Sequence, residues 1–408
     1  MIFHPHHTDL KGTLLLPGSK SESNRALMIA GYGGFDAGFK NMSAAHDTVL
    51  LQKLLCQIRT GKSNIVDCED AGSVCRFLLT YLCSHEGDWV LTGSERLRQR
   101  PIADLVDALK RLGADIQYFE KDGCLPLKIK GAKLLGGFVP VSLDRSSQFA
   151  SSLLMAAPMW SNGLELELTG SLRSLPYVDM TLSLMRWFGA VAVRNENNIR
   201  VASKPYENRP LTIAPDWSAA SYWYEMAALS TSCDLLLEDL HLPSRQGDAA
   251  IARMMRDLGV ETIIEPEGVR LKKTQCKNQP ARFDFSSAPD LFPAVAATCA
   301  GLRREARFTG LATLHLKESD RVVAMANELQ KMGAVLESVS DDECRLVSPS
   351  DLPRFEDSNP LLIDTYNDHR VAMAMAPLSL LVGAIRMDYP EVVAKSYPGF
   401  WEDFRKVL

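Results

Sequence analysis

The chain has 408 residues, of which 46% are hydrophobic and 23% charged, an ordinary composition that excludes a disordered or collagen-like protein. At roughly 150 residues per domain, this length predicts two or three domains. The 45 basic and 50 acidic residues give a net charge of −5, so the chain does not have the basic excess of a nucleic-acid binder, and local Arg and Lys must hold any anion.

Six predicted helices are rich in small and apolar residues, and each follows a Ser, Asp or Asn. These polar residues are, in chain order, Ser19, Asp70, Ser146, Ser218, Ser287 and Asn367. A helix that is apolar on nearly all sides is buried, and a polar N-cap before unpaired backbone N–H groups favours an anion. The sequence therefore predicts six buried helices whose first turns gather where ligands bind. Ordinary helix caps are the alternative, which fits Ser218 and Ser287 well.

A second element alternates with the first: an amphipathic helix that ends at Gly and continues into a β-rich segment. The four glycines are Gly113, Gly189, Gly259 and Gly333, separated by 76, 70 and 74 residues, and a weaker copy surrounds Gly61. Glycine after a helix favours the left-handed C-cap, and the alternating residues that follow it predict a strand. The pattern therefore predicts a symmetric α/β structure built from a repeated β/α unit.

Cations occupy several of the predicted helix starts, where the helix dipole disfavours positive charge. The segment 16–25, LPGSKSESNR, carries Lys and Arg after a Gly turn, but it does not match the GxxxxGK[ST] loop of nucleotide triphosphatases. Gly72 would let a ligand approach the backbone, and Arg76 could bind a carboxylate or phosphate through two hydrogen bonds. We interpret these conflicts as a site for a multiply charged anion. The charged run 317–321, taken alone, also fits a solvent-exposed helix face.

The cysteines and the apolar runs indicate where the protein works. Nine cysteines, an odd number without a CxxC pair, predict reduced thiols rather than a disulfide framework or a zinc site. No signal peptide is visible at the N-terminus. The longest uncharged apolar run, residues 371–385, is shorter than the ~20 residues that span a bilayer, and it predicts a buried helix. We therefore expect a cytoplasmic protein that does not bind a membrane.

Eight motifs follow one another along nearly the whole chain. They are LPGSKSESNRAL, LTGSERLRQRPIADLVDAL, SSQF, SLPYVDMTL, QGD, KESDR, YNDHRVAMA and KSYPGF. In sequence and order they resemble the motifs of the EPSP synthase family, the 3-phosphoshikimate 1-carboxyvinyltransferases. The resemblance implies an α/β fold of two domains, an inside-out α/β barrel of the enolpyruvyl transferase type with six β/α units, three per domain. We expect a discontinuous lower domain of residues 1–17 and 215–408, and an upper domain of residues 18–214.

The resemblance also implies a reaction. The enolpyruvyl group of phosphoenolpyruvate would pass to the 5-hydroxyl of shikimate 3-phosphate by addition and elimination, with release of phosphate, and without a metal or organic cofactor. The catalytic residues would be Asp290 as base, Glu318 for the proton at C3, and Lys317 as an assisting group.

Binding roles follow from the same motifs. The residues expected to bind shikimate 3-phosphate are Lys20, Ser21, Arg25, Ser146, Ser147, Gln148, Ser174, Tyr177, Asp290 and Lys317. Those expected to bind phosphoenolpyruvate are Lys20, Gly72, Arg100, Gln148, Arg321, Arg370 and Lys395, with Arg76 and His369 in support. The upper domain would thus clamp shikimate 3-phosphate, and the lower domain would supply Asp290, Glu318 and cations for phosphoenolpyruvate.

The chain departs from the family pattern at several positions outside these eight motifs. Asp70, Phe77, Thr313 and His315 stand where Asn, Pro, Asn and Arg are usual. Asp70 adds a negative charge close to the expected phosphoenolpyruvate subsite.

Two other functions fit the sequence less well. The sister enolpyruvyl transferases that modify UDP-N-acetylglucosamine carry a Lys-Asn pair where this chain has Lys20 and Ser21. A non-catalytic binding protein would not need the three chemical groups that are retained here. We expect partners limited to the two small-molecule substrates, without nucleic acid, and a monomer.

Overall fold

The computed structural model describes residues 2–3, 8–276 and 280–407. Its strands are β1 (Ile2–Phe3), β2 (Asp9–Leu15), β3 (Ile65–Asp67), β4 (Gly87–Thr92), β5 (Asp115–Tyr118), β6 (Leu127–Gly131), β7 (Gly137–Ser142), β8 (Leu164–Thr169), β9 (Ala192–Asn195), β10 (Asn198–Val201), β11 (Ser232–Glu238), β12 (Val260–Glu265), β13 (Gly268–Lys273), β14 (Ala281–Asp284), β15 (Ala306–Thr309), β16 (Val335–Ser340), β17 (Glu343–Val347), β18 (Leu361–Ile363) and β19 (Ile385–Met387).

The α-helices alternate with these strands. They are α1 (Lys20–Gly33), α2 (His46–Thr60), α3 (Gly72–Cys83), α4 (Glu95–Arg98), α5 (Ala103–Arg111), α6 (Ser147–Ala156), α7 (Leu175–Trp187), α8 (Trp217–Leu229), α9 (Ile251–Arg256), α10 (Phe292–Gly301), α11 (Arg321–Gln330), α12 (His369–Met375), α13 (Ser379–Val382) and α14 (Phe400–Lys406). Short 3-10 helices lie at Ala157–Met159, Gly247–Ala250, Pro289–Leu291, Ala312–Leu316, Ala376–Leu378 and Pro390–Lys395.

Four sheets of four strands share one pairing order. Each has a parallel pair at one side and continues through two antiparallel pairings, in the orders β3-β4-β6-β5, β7-β8-β10-β9, β2-β11-β13-β12 and β14-β15-β17-β16. Parallel neighbours need a long crossover, and α3, α6 and α10 provide it in three of the sheets. A fifth sheet has the order β1-β19-β18. The prediction of an α/β structure with a recurring unit is consistent with these four equivalent sheets.

The chain divides into two compact units. The central unit is Lys20–Ile213, and the discontinuous unit is Met1–Ser19 with Ala214–Leu408. Strand β2 joins the discontinuous unit by pairing in parallel with β11, from Asp9 opposite Ser232 to Leu15 opposite Glu238. Each unit has its own hydrophobic core.

Buried helices form the centre of each core, as the apolar patterns predict. In the central unit α1, α3, α6 and α7 pack on one another, and in the discontinuous unit α8, α10, α11 and α12 do so. Eleven of the twelve residues of α3 and all ten of α10 are buried. The run 371–385 is helical up to residue 382, although it changes to a 3-10 turn around Pro377 and ends in strand β19.

The helix starts agree only partly with the prediction. Side chains of Ser146, Asp216 and Asp368 cap α6, α8 and α12. The caps predicted at Ser218 and Asn367 are wrong. Asp216, two residues before Ser218, and Asp368, one residue after Asn367, take these positions, because an Asp carboxylate is an equally good acceptor. Helices α3 and α10 begin without a side-chain cap, so the cap roles predicted for Asp70 and Ser287 are wrong.

The predicted glycine stops are confirmed. Gly61, Gly113, Gly189, Gly259 and Gly333 have φ angles of 65°, 95°, 85°, 85° and 81°, and a strand follows each one. Seven of the nine cysteines are buried. Within the described ranges, none of the helices combines the length and the apolar character that a membrane crossing requires.

Candidate functional site

Arg25 lies in a buried cage of neutral oxygen atoms in the central unit. Its guanidinium donates to Thr181 Oγ1 at 2.7 Å, Ser21 O at 2.9 Å, Ser151 Oγ at 3.3 Å and Tyr177 O at 3.4 Å, and it lies 5.5 Å from the centre of the Phe77 ring. Burial lowers the pKa of Arg25 to about 10, although Tyr177 and Glu22 oppose this shift. The side chain therefore stays cationic at neutral pH, and four neutral acceptors fix its orientation.

A second cationic cluster lies at the start of α3. A Cβ placed on Gly72 would lie 2.6 Å from Arg100 Nη1 and 2.7 Å from Arg76 Nη1, so both guanidinium groups lie against the backbone of this residue. Arg76 Nη1 also donates to Gln148 Oε1 at 2.9 Å. Two guanidinium groups beside a helix N-terminus favour an anion.

Lys20, the first residue of α1, has a counter-ion. Its ammonium group lies 3.3 Å from Asp47 Oδ2, and the Asp47 side chain is only 4% exposed. Asp70, by contrast, is exposed and accepts a hydrogen bond from Ser94 Oγ. The carboxylate of Asp70, which the family pattern lacks, therefore binds Ser94, whereas Lys20 pairs with Asp47.

The remaining predicted residues of the central unit also lie in first helical turns. Ser146 Oγ accepts from Gln148 N at 3.2 Å at the start of α6, where Ser147 is buried. Ser174 is buried in the left-handed conformation, with φ of 55°, immediately before α7, and Tyr177 stands in the first turn of that helix. Hydrogen bonds join some of these residues across the helices: Arg25 of α1 binds α6 and α7 through Ser151, Thr181 and Tyr177, and Arg76 of α3 binds Gln148 of α6.

In the discontinuous unit, Arg321 is the centre of an ion-pair cluster. Its guanidinium donates to Asp290 Oδ1 at 2.7 Å, Glu318 Oε2 at 2.8 Å, Asp368 Oδ2 at 2.8 Å and Asp368 Oδ1 at 3.3 Å. The Arg321 side chain is only 2% exposed. Three carboxylates around one buried guanidinium raise the pKa of Arg321 above its usual range, although burial opposes this shift.

Asp290 joins Arg321 to two further cations. Its Oδ2 accepts from Arg370 Nη2 at 2.8 Å, and Lys317 Nζ lies 3.6 Å from its Oδ1. Burial disfavours the charged carboxylate, but Arg370, Lys317 and Arg321 outweigh burial and hold the pKa of Asp290 well below its usual range. With these contacts in place, Asp290 is an anion with little affinity for a proton.

A second aspartate lies close to this cluster. Asp248 is buried and accepts a hydrogen bond from Ser218 Oγ, which itself lies 3.4 Å from Arg370 Nη2. Burial and the charge of Asp290 raise the pKa of Asp248 to about 6, although Arg370 and the Ser218 hydrogen bond oppose this shift. The two neighbouring aspartates thus have pKa values shifted in opposite directions.

Other residues of interest in the discontinuous unit lie on several elements. His369 is buried in the first turn of α12, with Nδ1 3.8 Å from Asp368 Oδ1. Lys395 is half-buried at the end of the 3-10 helix Pro390–Lys395, on a different element from the ion pairs. Thr313 is buried, and His315 Nδ1 lies 2.8 Å from Asp320 Oδ2.

Sequence reasoning missed several residues that hold the predicted ones in place. They are Asp47, Ser151, Thr181, Asp248 and Asp368. The Asp368 carboxylate binds Arg321 and caps the helix that carries Arg370. Its place in the motif YNDHR was a usable signal, as was the position of Thr181 one helical turn after Tyr177.

The chain is similar to known proteins over nearly its whole length. The sequence model of the family described as EPSP synthase (3-phosphoshikimate 1-carboxyvinyltransferase) matches residues 36–404. A 3-phosphoshikimate 1-carboxyvinyltransferase of Bacteroides fragilis is 43% identical over 400 residues, 98% of this chain and 96% of that protein. One of Syntrophobacter fumaroxidans is 34% identical over 98% of this chain and 97% of that protein.

Solved structures share the fold. EPSP synthase from Acinetobacter baumannii superposes with a TM-score of 0.76 at 24% identity, covering 100% of this chain and 97% of the other. The enolpyruvyl transferase NikO from Streptomyces tendae has a TM-score of 0.71 at 16% identity, with 100% and 96% coverage. The fold is therefore the α/β fold of the enolpyruvyl transferases. Because a family-wide match and a relative at 43% identity both span nearly the whole chain, the protein belongs to the EPSP synthase (3-phosphoshikimate 1-carboxyvinyltransferase) family.

Proposed function

We infer that this protein transfers the enolpyruvyl group of phosphoenolpyruvate to the 5-hydroxyl of shikimate 3-phosphate, releasing phosphate, in the shikimate pathway to aromatic amino acids. Family membership and the 43% identical relative support the reaction. The observation in the structure that carries the proposal is the pair of carboxylates, Asp290 and Glu318, on one guanidinium, that of Arg321. An addition–elimination reaction between anions needs two proton-transfer groups surrounded by cations.

The proposed chemistry uses these groups in two steps. In the addition, the 5-hydroxyl oxygen forms a bond to C2 of the enol while Asp290 takes the hydroxyl proton, and Glu318 supplies a proton to C3. In the elimination, Glu318 removes a proton from C3, the C2–C3 double bond re-forms and the C2–O bond to phosphate breaks, and the proton held by Asp290 passes to the released phosphate. Lys317, 3.6 Å from Asp290, would contact the substrate hydroxyl and stabilise the charge that develops there.

Binding of shikimate 3-phosphate is assigned chiefly to the central unit. The proposed ligands there are Lys20, Ser21, Arg25, Ser146, Ser147, Gln148, Ser174 and Tyr177. The cage around Arg25 supports this assignment because the cation is already oriented before the substrate arrives, which reduces the entropy lost on binding.

The motifs assign two sets of ligands to phosphoenolpyruvate. The proposed ligands are Lys20, Gly72, Arg100 and Gln148 of the central unit and Arg321, Arg370 and Lys395 of the discontinuous unit, supported by Arg76 and His369. The two guanidinium groups against Gly72 support the first set, since a Cβ there would occupy the space beside them.

We also propose the finer architecture of the family for this chain, an inside-out α/β barrel with six β/α units, three in each domain. The four sheets of one pairing order support it, and the expected domains of residues 1–17 with 215–408 and 18–214 follow the same plan. A monomer in the cytoplasm that binds its small substrates and no nucleic acid remains our proposal for the assembled protein.

Phosphate release tests the function directly. Purified protein with phosphoenolpyruvate should release phosphate when shikimate 3-phosphate is added and should not when UDP-N-acetylglucosamine is added. Equal release with UDP-N-acetylglucosamine would assign the protein to the sister reaction. No release with either acceptor, from protein that still binds both anions, would favour the non-catalytic alternative.

A further inference from the structure

Asp290 holds the two arginines in the way that a bound anion would. Its two carboxylate oxygens are divided between them, with Oδ1 2.7 Å from Arg321 Nη1 and Oδ2 2.8 Å from Arg370 Nη2. A ligand carboxylate or phosphate would use the same short, charge-assisted hydrogen bonds to guanidinium groups. Any anion that binds this pair of arginines therefore competes with Asp290.

The three carboxylates around Arg321 differ in exposure. The side chain of Asp368 is 0% exposed and also caps α12, so it is part of the frame. The side chains of Asp290 and Glu318 are 19% and 16% exposed, while those of Arg321 and Arg370 are 2% and 6% exposed. The two carboxylates to which the proposed reaction assigns proton transfer are therefore more exposed than the arginines that they bind.

We propose that Asp290 is an internal counter-anion, which phosphoenolpyruvate displaces from Arg321 and Arg370, and that only this displacement turns Asp290 into a base. The inference rests on the proposed function. Before displacement, Asp290 prevents repulsion among Arg321, Arg370 and Lys317. After displacement, the negative charges of the ligand neutralise the arginines, and Asp290 regains affinity for a proton close to the acceptor hydroxyl.

This exchange links donor binding to catalysis. The titratable groups near Asp290 are the cations Arg321, Arg370 and Lys317, the carboxyl groups Glu318 and Asp248, and the buried phenol of Tyr222. When the three cations are engaged by a ligand, the burial of Asp290 and the two neighbouring carboxyl groups both favour its protonation. The base is therefore active when the donor is in place and inactive otherwise.

The test is a comparison of anion binding and turnover in Asp290→Asn. The amide keeps the size of the side chain and removes the competing charge, so we expect phosphoenolpyruvate to bind about tenfold more tightly or better, measured by calorimetry, while turnover falls. Sulfate, a dianion without a titrating proton near neutral pH, should show the same tightening. Unchanged or weaker binding of both anions would overturn the proposal.

A matched control separates competition from general charge. Asp248→Asn also removes a buried carboxyl group near Arg370. Since Ser218 Oγ hydrogen-bonds both Asp248 and Arg370, whereas Asp290 binds two guanidinium groups directly, the effect of Asp248→Asn on anion binding should be smaller, less than twofold. If Asp290→Asn and Asp248→Asn bound the anions equally more tightly than the wild type, the change in net charge alone would explain the effect, and the proposal would be overturned. Asp290→Ala provides a second variant without the competing charge. Sulfate should raise the melting temperature of Asp290→Asn and of Asp290→Ala more than it raises that of the wild type.

The proposal and the proposed function fail in different ways. If phosphate release requires shikimate 3-phosphate but Asp290→Asn binds anions no better than the wild type, only the exchange is wrong. If phosphoenolpyruvate is no substrate, the sulfate measurement still reports on the competition between Asp290 and an anion.

Discussion

The two units hold their predicted cations with different partners. Arg25 of the central unit donates to two hydroxyl groups and two carbonyl groups, whereas Arg321 of the discontinuous unit donates to three carboxylates. Neutral partners orient a guanidinium and leave its charge available to a ligand. Carboxylate partners cancel that charge and offer groups that can exchange protons and partners. The difference suits binding of an anion by the central unit and proton transfer in the discontinuous unit.

Lys20 is an instructive case within the central unit. It pairs with the buried carboxylate of Asp47, so it resembles the cations of the discontinuous unit more than it resembles Arg25. It is also assigned to both substrates, together with Gln148. A neutralised cation at such a position fits a role that begins only when a ligand replaces its counter-ion.

The largest expected effect comes from removing the carboxyl groups of the discontinuous unit. Asp290→Asn and Glu318→Gln should each lower kcat by ~10²-fold or more, because each variant loses a proton-transfer group. Stopped-time phosphate release gives kcat, and circular dichroism checks that the fold is retained. If both variants kept near-normal turnover, the roles of both carboxyl groups would be wrong.

The neutral cage predicts a binding defect instead. Arg25→Met should raise the KM for shikimate 3-phosphate by about 10- to 100-fold, the value of one or two hydrogen bonds to a charged group, with a smaller change in kcat. Thr181→Val is the matched control, since it removes one of the four acceptors and keeps the cation. A fall in kcat with an unchanged KM would mean that the contrast between the units is false.

Gly72 should matter through the arginines beside it. Gly72→Ala places a Cβ 2.6 Å from Arg100 Nη1 and 2.7 Å from Arg76 Nη1, and the flexible ends of both side chains must move. We expect KM for phosphoenolpyruvate to rise by about tenfold, with a melting temperature close to that of the wild type, because only side-chain ends shift. An unchanged KM would mean that Arg76 and Arg100 do not bind phosphoenolpyruvate.

The smallest expected signal concerns stability and pH. Asp248 has its pKa raised to about 6 by burial, from a usual value of 3.8, so the folded protein retains a proton that the unfolded chain has released between these values. Stability contributed by this group is therefore lost as pH rises from about 4 to 6. Asp248→Asn should gain a few degrees in melting temperature relative to the wild type between pH 4 and pH 7.5. A difference that is constant across this range would contradict the shift.

Much of the fold follows from local sequence. The all-round apolar runs predict buried helices such as α10, and glycines such as Gly113 end helices because few other residues adopt a positive φ. Caps were less predictable, since Asp216 and Ser218 stand two residues apart and either could cap α8. Local sequence does not decide between two good acceptors.

The ion-pair partners could not be read from the sequence. Asp290 and Arg370 are 80 residues apart, and only the packing of α10, α11 and α12 brings them together. The motifs predicted that Arg321, Asp290 and Arg370 act in one site. They did not predict that Asp290 bridges the arginines, because that depends on the geometry of three helix ends. The functional roles of these residues remain predictions for the experiments above.

The pairing of β2 with β11 has a consequence for how the protein is made. Residues 9–15 leave the ribosome early, but their parallel partner, residues 232–238, is synthesised more than two hundred residues later. The central unit, Lys20–Ile213, is complete before that point and has its own core. It can therefore fold during translation while β2 has no partner. A stalled chain that ends before β11 would expose β2 as an unpaired edge, which is the kind of segment that chaperones bind and that aggregates.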